Sequence, residues 1–372
     1  MPVTTWSGFK FLNTGVLFSE LRQATLEVKV GVIGLGYWGP NLVRNFNASS
    51  DSKVIICCDI QPDRCRKLAI QYSNIQFSQN VRDVIDHPDV NAIVIATPVH
   101  THHALVKEAL LAKKHVLVTK PITDNLAQAK ELVDLADKMK VVLQVDHTFI
   151  YHPAVEKLKD IVARGELGEL YYFDSVRINL GLFQSDVSVL WDLAPHDISI
   201  MEYLIERPVQ WVQAIGASHA GHKSESMAYI TVQFADNILG HCHVNWLAPM
   251  KTRLVMLGGS RRLAVYDDNL VTEKIKIYDK GITRSTIEGL YDALVQYRNG
   301  DMYAPAIENS EALGREIKHF NHCIHHKSSP ITDGRAGLRV VTILTAAQDS
   351  IRNNGIRVRP LNVAPVDSHD MR

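Results

Sequence analysis

Residues 28–39 read Val-Lys-Val-Gly-Val-Ile-Gly-Leu-Gly-Tyr-Trp-Gly, a short apolar run that ends in three glycines with the spacing G-x-G-x-x-G. The apolar run predicts a β-strand, and the residues from Gly39 onward have helical character. Gly34 permits a tight turn, Gly36 lets the backbone approach a ligand closely, and Gly39 allows the helix to pack on the strand. Strand, loop and helix together predict a site that binds the pyrophosphate of a dinucleotide at a helix N-terminus.

An acidic residue lies at the position where a dinucleotide site binds the adenosine ribose. Asp59 follows the second predicted strand, 20 residues beyond Gly39. Its oxygens can accept hydrogen bonds from the adenosine ribose hydroxyls and would repel a 2′-phosphate. We therefore expect NAD as the cofactor, and NADP stays open because Arg64 lies nearby. The predicted cofactor loop consists of Gly34, Leu35, Gly36, Tyr37, Trp38 and Gly39.

Short apolar runs alternate with helical patterns through the first 150 residues. These runs lie at 28–33, 54–58, 92–96, 115–118 and 141–145. Such alternation predicts a dinucleotide-binding domain over residues 28–150, built on a parallel, doubly wound sheet.

The pattern changes after residue 150. Residues 151–372 contain strand-like runs with few helices between them, and turn residues such as Asp236-Asn237 separate the runs. We expect a second α/β domain here, with an open, mostly antiparallel sheet. Residues 1–27 lack the cationic start and apolar block of a signal peptide, so we expect a peripheral arm or an over-long start.

Composition narrows the class of protein. The 372 residues suggest two domains, and Lys+Arg equals Asp+Glu at 40 each, which is unlike the basic footprint of a nucleic-acid binder. The sequence contains no run of 18 apolar residues, the length that a membrane-spanning helix needs, so no membrane span is predicted. The five cysteines form no C-x-x-C pair, so we expect buried thiols in a reducing, cytoplasmic compartment. The histidine clusters lack a plausible full ligand set, so no metal site is predicted.

Three further motifs occur downstream of the glycine loop. Residues 96–102 read Ala-Thr-Pro-Val-His-Thr-His, residues 114–121 read Lys-His-Val-Leu-Val-Thr-Lys-Pro, and residues 191–197 read Trp-Asp-Leu-Ala-Pro-His-Asp. In this order the series resembles the glucose–fructose oxidoreductase/inositol dehydrogenase (Gfo/Idh/MocA) family, over about residues 28–361. The resemblance implies an N-terminal Rossmann domain and a C-terminal α/β domain with an open sheet. It extends the cofactor site to Thr97, Pro98, His102, Thr119, Lys120 and His147.

The resemblance also implies which residues handle the proton when an alcohol gives up a hydride: Lys120, Asp192 and His196. Such a transfer needs a base for the hydroxyl proton. Asp192 and His196 are four residues apart, so on a helix they share a face. A nearby Lys120 charge disfavours the protonated imidazole and keeps His196 available as a base. The chain departs from the family at Thr119, where the usual residue is Glu, which leaves the tuning of Lys120 open.

The substrate is expected to bind against the second domain. The candidate contacts are Tyr151, Arg177 and Asn179, with Trp246, Lys251 and Arg253 as further polar or stacking groups. Arg177 and Lys251 would suit a phosphate or carboxylate. Because residues 181–183, 191–199 and 265–268 resemble members associated with nucleotide-sugar biosynthesis, we expect hydride transfer at a secondary hydroxyl of a nucleotide sugar.

Other functions stay open at this point. The chain can be an inositol, polyol or free-sugar dehydrogenase, an NAD-dependent glycoside hydrolase, or a non-catalytic regulator that senses dinucleotide. Retention of Lys120 and His196 argues against the regulator. The expected partners are a small-molecule substrate and further copies of the chain in a homodimer or homotetramer, with no nucleic acid and no membrane.

Overall fold

The computed structural model describes residues 27–181, 187–285 and 294–361. Six strands build the first sheet: β1 (Val28–Ile33), β2 (Ser52–Cys58), β3 (Gln76–Ser78), β4 (Ala92–Ile95), β5 (His115–Thr119) and β6 (Leu143–Asp146). They are all parallel, in the order β3-β2-β1-β4-β5-β6. Central side chains such as Val32 and Ile93 are fully buried, as expected for strands covered on both faces. The predicted doubly wound parallel sheet is confirmed.

Helices connect these strands: α1 (Gly39–Ala48), α2 (Pro62–Ala69), α3 (Val81–Ile85), α4 (His102–Leu111) and α5 (Leu126–Met139). Asn80 and Asn125 begin α3 and α5 as N-caps, each accepting a hydrogen bond from a backbone N–H in the first turn. The strand β3 and the helix α3 were not predicted, since three and five residues are too few for a periodic pattern.

Eight strands build the second sheet: β7 (Leu170–Ile178), β8 (Val209–Ala217), β9 (Met227–Phe234), β10 (Leu239–Asn245), β11 (Thr252–Gly259), β12 (Leu263–Asp267), β13 (Ile275–Ser285) and β14 (Leu294–Tyr303). Their order is β14-β13-β12-β11-β7-β10-β9-β8. The central strands β7 and β10 pair in parallel, and the other neighbouring strands pair antiparallel. The expected mostly antiparallel sheet is therefore confirmed.

Four helices complete the described chain: α6 (Pro153–Ala163), α7 (Val189–Ile205), α8 (Ala312–His326) and α9 (Gly334–Arg352). The apolar face of α8 returns to the first sheet, where Phe320 packs edge-on against Phe46 of α1. The long α9 lies against both α5 and α7. The last strand of the first sheet ends at Asp146 and the first strand of the second begins at Leu170, while α8 packs back on the first sheet. Among the described helices, none combines the length and apolar character that a membrane span requires.

The second sheet has two unlike faces. Helices α7 and α9 pack on one face, where side chains such as Ile230, Cys242 and Val244 are fully buried. The alternating side chains, including Val176 and His243, point the other way and are only partly buried. A sheet with one incompletely covered face can bury it against the same face of a second copy.

We expect this face to form the contact of a homodimer or homotetramer. Val176→Lys places a charge beside His243 and Leu254, its cross-strand neighbours, and should shift light-scattering mass toward that of one chain at micromolar concentration. The matched control is Ile70→Glu, because Ile70 is 86% exposed at the end of α2 and lies far from this face. A monomeric wild-type protein would contradict the expectation.

Candidate active site

The glycine loop has the geometry of a cradle. Gly34 has φ +96, and a Cβ there would collide with the Ala96 carbonyl. A Cβ on Gly39 would collide with the Gly34 carbonyl, so the first and third glycines are required by the fold itself. A Cβ on Gly36 would meet nothing closer than the Arg64 guanidinium at 3.9 Å. The second glycine therefore leaves open space before the N-terminus of α1, which fits a dinucleotide pyrophosphate.

The other loop residues have distinct roles. Leu35 is buried, whereas the Tyr37 side chain is 90% exposed beside the cradle. The Trp38 indole Nε1 donates to the Asp146 carboxylate Oδ2 at 2.5 Å. Trp38 thus anchors the loop to the end of β6, a structural role that the sequence pattern did not indicate.

Asp59 braces this loop from below. Its buried carboxylate accepts from the Leu35 backbone N–H at 2.7 Å, the Gln61 N–H at 2.8 Å and the Arg64 Nη1 at 3.2 Å. Each carboxylate oxygen has two acceptor sites, so capacity for a ribose hydroxyl remains. Asp59 accordingly shapes the loop in addition to standing where a ribose is expected.

The loops after β4 and β5 are tied together by His102. Its ring nitrogens lie 2.8 Å from the Thr97 carbonyl and 2.9 Å from the Pro121 carbonyl, and the ring is 1% exposed. We expected His102 to contact the cofactor, but the structure gives it a positioning role because both nitrogens face backbone oxygens. Thr97, the exposed Pro98 and Thr119 lie at the carboxyl edge of the sheet, beside the glycine loop.

Lys120 reaches from the first domain to the second. Its Nζ donates to the Asp192 carboxylate Oδ1 at 3.0 Å and to the Asp192 backbone carbonyl at 2.5 Å. The second carboxylate oxygen of Asp192 accepts from the Trp246 indole at 3.2 Å. The lysine and aspartate side chains keep 21% and 23% of their surface exposed, so the pair is partly open to solvent.

Two histidines next to this pair are held neutral. Burial, followed by the charges of Lys120 and Arg177, lowers the pKa of His196 well below its usual value. Burial and the Lys120 charge lower the pKa of His147 to about 3. His196 lies on α7 one turn after Asp192, and its ring meets Phe149 edge-on at 5.0 Å between centroids. Both imidazoles are therefore uncharged at neutral pH, and His196 is able to accept a proton.

The structure corrects two of the expected substrate contacts. The Tyr151 hydroxyl lies 3.1 Å from Thr332 Oγ1 inside the core, and the residue is 2% exposed. The Arg177 guanidinium is also buried and makes two 2.9 Å hydrogen bonds to Asp197. Neither group is available to a ligand, whereas Asn179 lies partly exposed just after β7.

Some residues of the site escaped sequence reasoning. Phe149 packs against both His196 and Arg177, and Asp197 neutralises Arg177. No local motif marks Phe149, and Asp197 is adjacent to His196 without any pattern that reveals its partner. Among the described residues, no three histidine, cysteine or acidic side chains are grouped as metal ligands would be.

Comparison with known proteins agrees with this architecture. The family model for the oxidoreductase family with an NAD-binding Rossmann fold matches residues 28–147, and that for the GFO/IDH/MocA C-terminal domain matches residues 155–266. The chain is 25% identical to UDP-N-acetylglucosamine 3-dehydrogenase of Acidithiobacillus ferrooxidans, over 85% of this chain and 95% of that protein. It is 24% identical to myo-inositol 2-dehydrogenase of Thermotoga maritima, over 87% and 96%.

A further relative and a solved structure are also similar to this chain. An uncharacterized Bacillus subtilis oxidoreductase, YrbE, is 29% identical, over 52% of this chain and 58% of that protein. The crystal structure of the WlbA dehydrogenase from Bordetella pertussis, in complex with NADH and UDP-GlcNAcA, superposes with a TM-score of 0.74 at 18% identity, over 91% of this chain and 99% of that one. With both of its domains matched by the family models, the chain belongs to the GFO/IDH/MocA family of oxidoreductases.

Proposed function

We propose that this protein is an NAD-dependent dehydrogenase that acts on a secondary hydroxyl of a nucleotide sugar. The observation that carries the proposal is the Lys120–Asp192 pair, set beside a neutral His196 at the carboxyl edge of the dinucleotide-binding sheet. Ligands of doubly wound sheets bind at this edge. The similarity to UDP-N-acetylglucosamine 3-dehydrogenase over most of both chains supports a nucleotide sugar as the substrate class.

The residues divide the proton chemistry between them. A bound nicotinamide supplies the redox chemistry by accepting the hydride. His196 takes the hydroxyl proton, and its edge contact with Phe149 holds the imidazole in place. Lys120, oriented by Asp192, donates a hydrogen bond to the oxygen and stabilises the negative charge that develops on it.

A substrate screen tests this function. Purified protein with NAD is offered UDP-sugars, free sugars and inositols, and NADH is followed by its absorbance. Net reduction of NAD with a UDP-sugar supports the proposal. Bound dinucleotide without turnover would point to a regulator instead, and release of an aglycone without net NADH would point to a glycoside hydrolase.

Cofactor preference should depend on Asp59. We expect NAD to bind at least about tenfold more tightly than NADP, because a 2′-phosphate would lie against the buried carboxylate. Asp59→Asn should narrow this ratio, measured by fluorescence titration of NADH and NADPH. Since Asp59 also holds the Leu35 N–H, affinity for both cofactors should fall, and the ratio is the informative quantity.

The control for cofactor preference is Asp63→Asn. Asp63 is an exposed carboxylate on the neighbouring α2 and pairs with Arg66 rather than with the loop. Its removal should leave the NAD/NADP ratio unchanged. A wild-type preference for NADP would show that the ribose-hydroxyl role of Asp59 is wrong.

Turnover should depend on His196 far more than cofactor affinity does. His196→Ala should lower kcat by roughly 10²–10⁴, the usual worth of a positioned general base, while NADH affinity changes little. Lys120→Ala should lower both. Because the pKa of His196 lies well below its usual value, wild-type activity should persist from pH 7 to pH 6 and fall only at lower pH, as the imidazole gains a proton. This acidic limb should vanish in His196→Ala.

His326→Ala is the matched control for these measurements. His326 lies exposed at the end of α8, stacked on His322, so its removal should alter neither turnover nor the pH profile. Near-normal turnover and an unchanged profile in His196→Ala would instead assign the base to another group, such as Lys120.

A further inference from the structure

Two arginines share one aromatic ring at the edge of the site. The guanidinium carbon of Arg177 lies 4.4 Å from the Phe149 ring centroid, and that of Arg253 lies 5.5 Å from it. The two arginines are cross-strand neighbours on β7 and β11. The same phenyl ring packs edge-to-face with the His196 imidazole, and the two ring centroids are 5.0 Å apart. Phe149 therefore holds both guanidinium groups close to the proton-accepting histidine.

The two arginines differ in what they have left to offer. Arg177 is buried and commits its Nε and Nη2 to Asp197. Arg253 keeps 34% of its side chain exposed, and its guanidinium makes one hydrogen bond within the described chain, from Nη1 to Asp268 at 3.1 Å. A guanidinium has five N–H donors, so Arg253 has donors left for a ligand beside Phe149.

The carboxylate that pairs with Arg253 is itself shared. Asp268 also accepts from the Tyr266 hydroxyl at 3.0 Å, and the Lys274 ammonium lies 3.5 Å from it. Burial opposes its ionisation, but the hydrogen bonds from Arg253 and Tyr266 outweigh this and lower the pKa of Asp268. Asp268 stays ionised, yet one carboxylate cannot neutralise both Arg253 and Lys274.

The charges of the whole network leave a positive excess. Lys120 pairs with Asp192, and Arg177 pairs with Asp197. Arg253 and Lys274 share Asp268, while the burial of His196 and His147 keeps both neutral. Four cations thus face three carboxylates, and the guanidinium with unused donors belongs to the cation pair that is only half neutralised.

We propose that Arg253 binds an anionic group on the sugar, a carboxylate or a phosphate, close to the hydroxyl that is oxidised. This inference rests on the proposed function and names its substrate class as an acidic sugar. The planar guanidinium can bind either oxyanion through two parallel hydrogen bonds. Arg253 is then a specificity-determining residue, whereas Lys274 keeps Asp268 in place behind it.

The test compares substrates that differ only in the anionic group. UDP-N-acetylglucosamine is paired with its 6-carboxylate, and glucose is paired with glucose 6-phosphate, each with NAD. Wild-type protein should favour the acidic member of at least one pair in kcat/KM by roughly 10–100-fold, the worth of a charge-assisted hydrogen bond. The pair in which the acidic sugar is favoured shows whether the anionic group is a carboxylate or a phosphate.

Two variants locate the effect. Arg253→Ala should bring the acidic-to-neutral ratio of kcat/KM close to one, mainly through a higher KM for the acidic sugar, and Arg253→Lys should restore part of the preference. The matched control is Arg207→Ala, which removes an arginine paired with Asp236 at an exposed turn. A wild-type protein without preference, or an equal loss for both members in Arg253→Ala, overturns the inference.

A binding measurement separates this inference from the proposed function. Calorimetric titration of each sugar into protein saturated with NADH reports affinity without turnover. If no sugar is oxidised by the wild type, the dehydrogenase proposal fails for these sugars. The Arg253 inference then stands only if Arg253→Ala weakens binding of an acidic sugar at least tenfold, and it fails if affinity is unchanged.

Discussion

The hydrogen-bonded pair of Lys120 and Asp192 joins the two domains at the point where the chemistry is expected. Lys120 follows β5 of the first sheet, and Asp192 lies in the first turn of α7, which packs on the second sheet. Pro195 lies inside α7 and cannot donate the helical hydrogen bond to the Trp191 carbonyl, which is next to the Asp192 carbonyl that accepts from Lys120. With Trp246 on its other oxygen, Asp192 fixes both the position and the direction of the ammonium.

The electrostatics of the site follow from this pairing. Burial and the surrounding cations lower the pKa of His196, and the two hydrogen bonds from the buried Arg177 to Asp197 offset part of the cost of burying that charge. A neutral imidazole with a low pKa is a weak base in water. Here the cations that weaken it also stabilise a developing alkoxide, so the proton becomes easier to remove from the substrate as the base becomes weaker. The two effects act on opposite partners of one proton transfer and partly cancel.

Much of the fold was predictable because its signals are local. The strand β1 and the glycine loop are written within twelve residues, and the period of apolar residues changes where the second domain begins. Burial of polar residues was not predictable in the same way. The Tyr151 hydroxyl is hydrogen-bonded to Thr332, which is 181 residues away, and Arg177 donates to Asp197 on another element. The sequence shows that a residue can bind a ligand, but not that a distant residue already occupies it.

The same limit explains why the packing of α8 and the structural role of Asp59 were not predicted. The apolar stripe of α8 was visible in the sequence, yet nothing in it says that the stripe packs on the first sheet rather than the second. Asp59 was identified from its spacing to the glycines, but its hydrogen bond to the Leu35 N–H depends on the folded loop. With the proposed ribose contact, one carboxylate combines a structural and a recognition role, so a substitution there should change both.

The placement of charges also separates chemistry from recognition. Lys120 directly follows β5 and His196 lies on α7, whereas Arg253 lies on β11 and Asp268 lies in the turn after β12. Phe149 connects the two groups through contacts of its ring with His196 and Arg253. Residues on the second sheet can then change which sugar is held while the proton-handling pair keeps its geometry. With the proposed roles, this division would allow a single scaffold to serve substrates that share only a secondary hydroxyl.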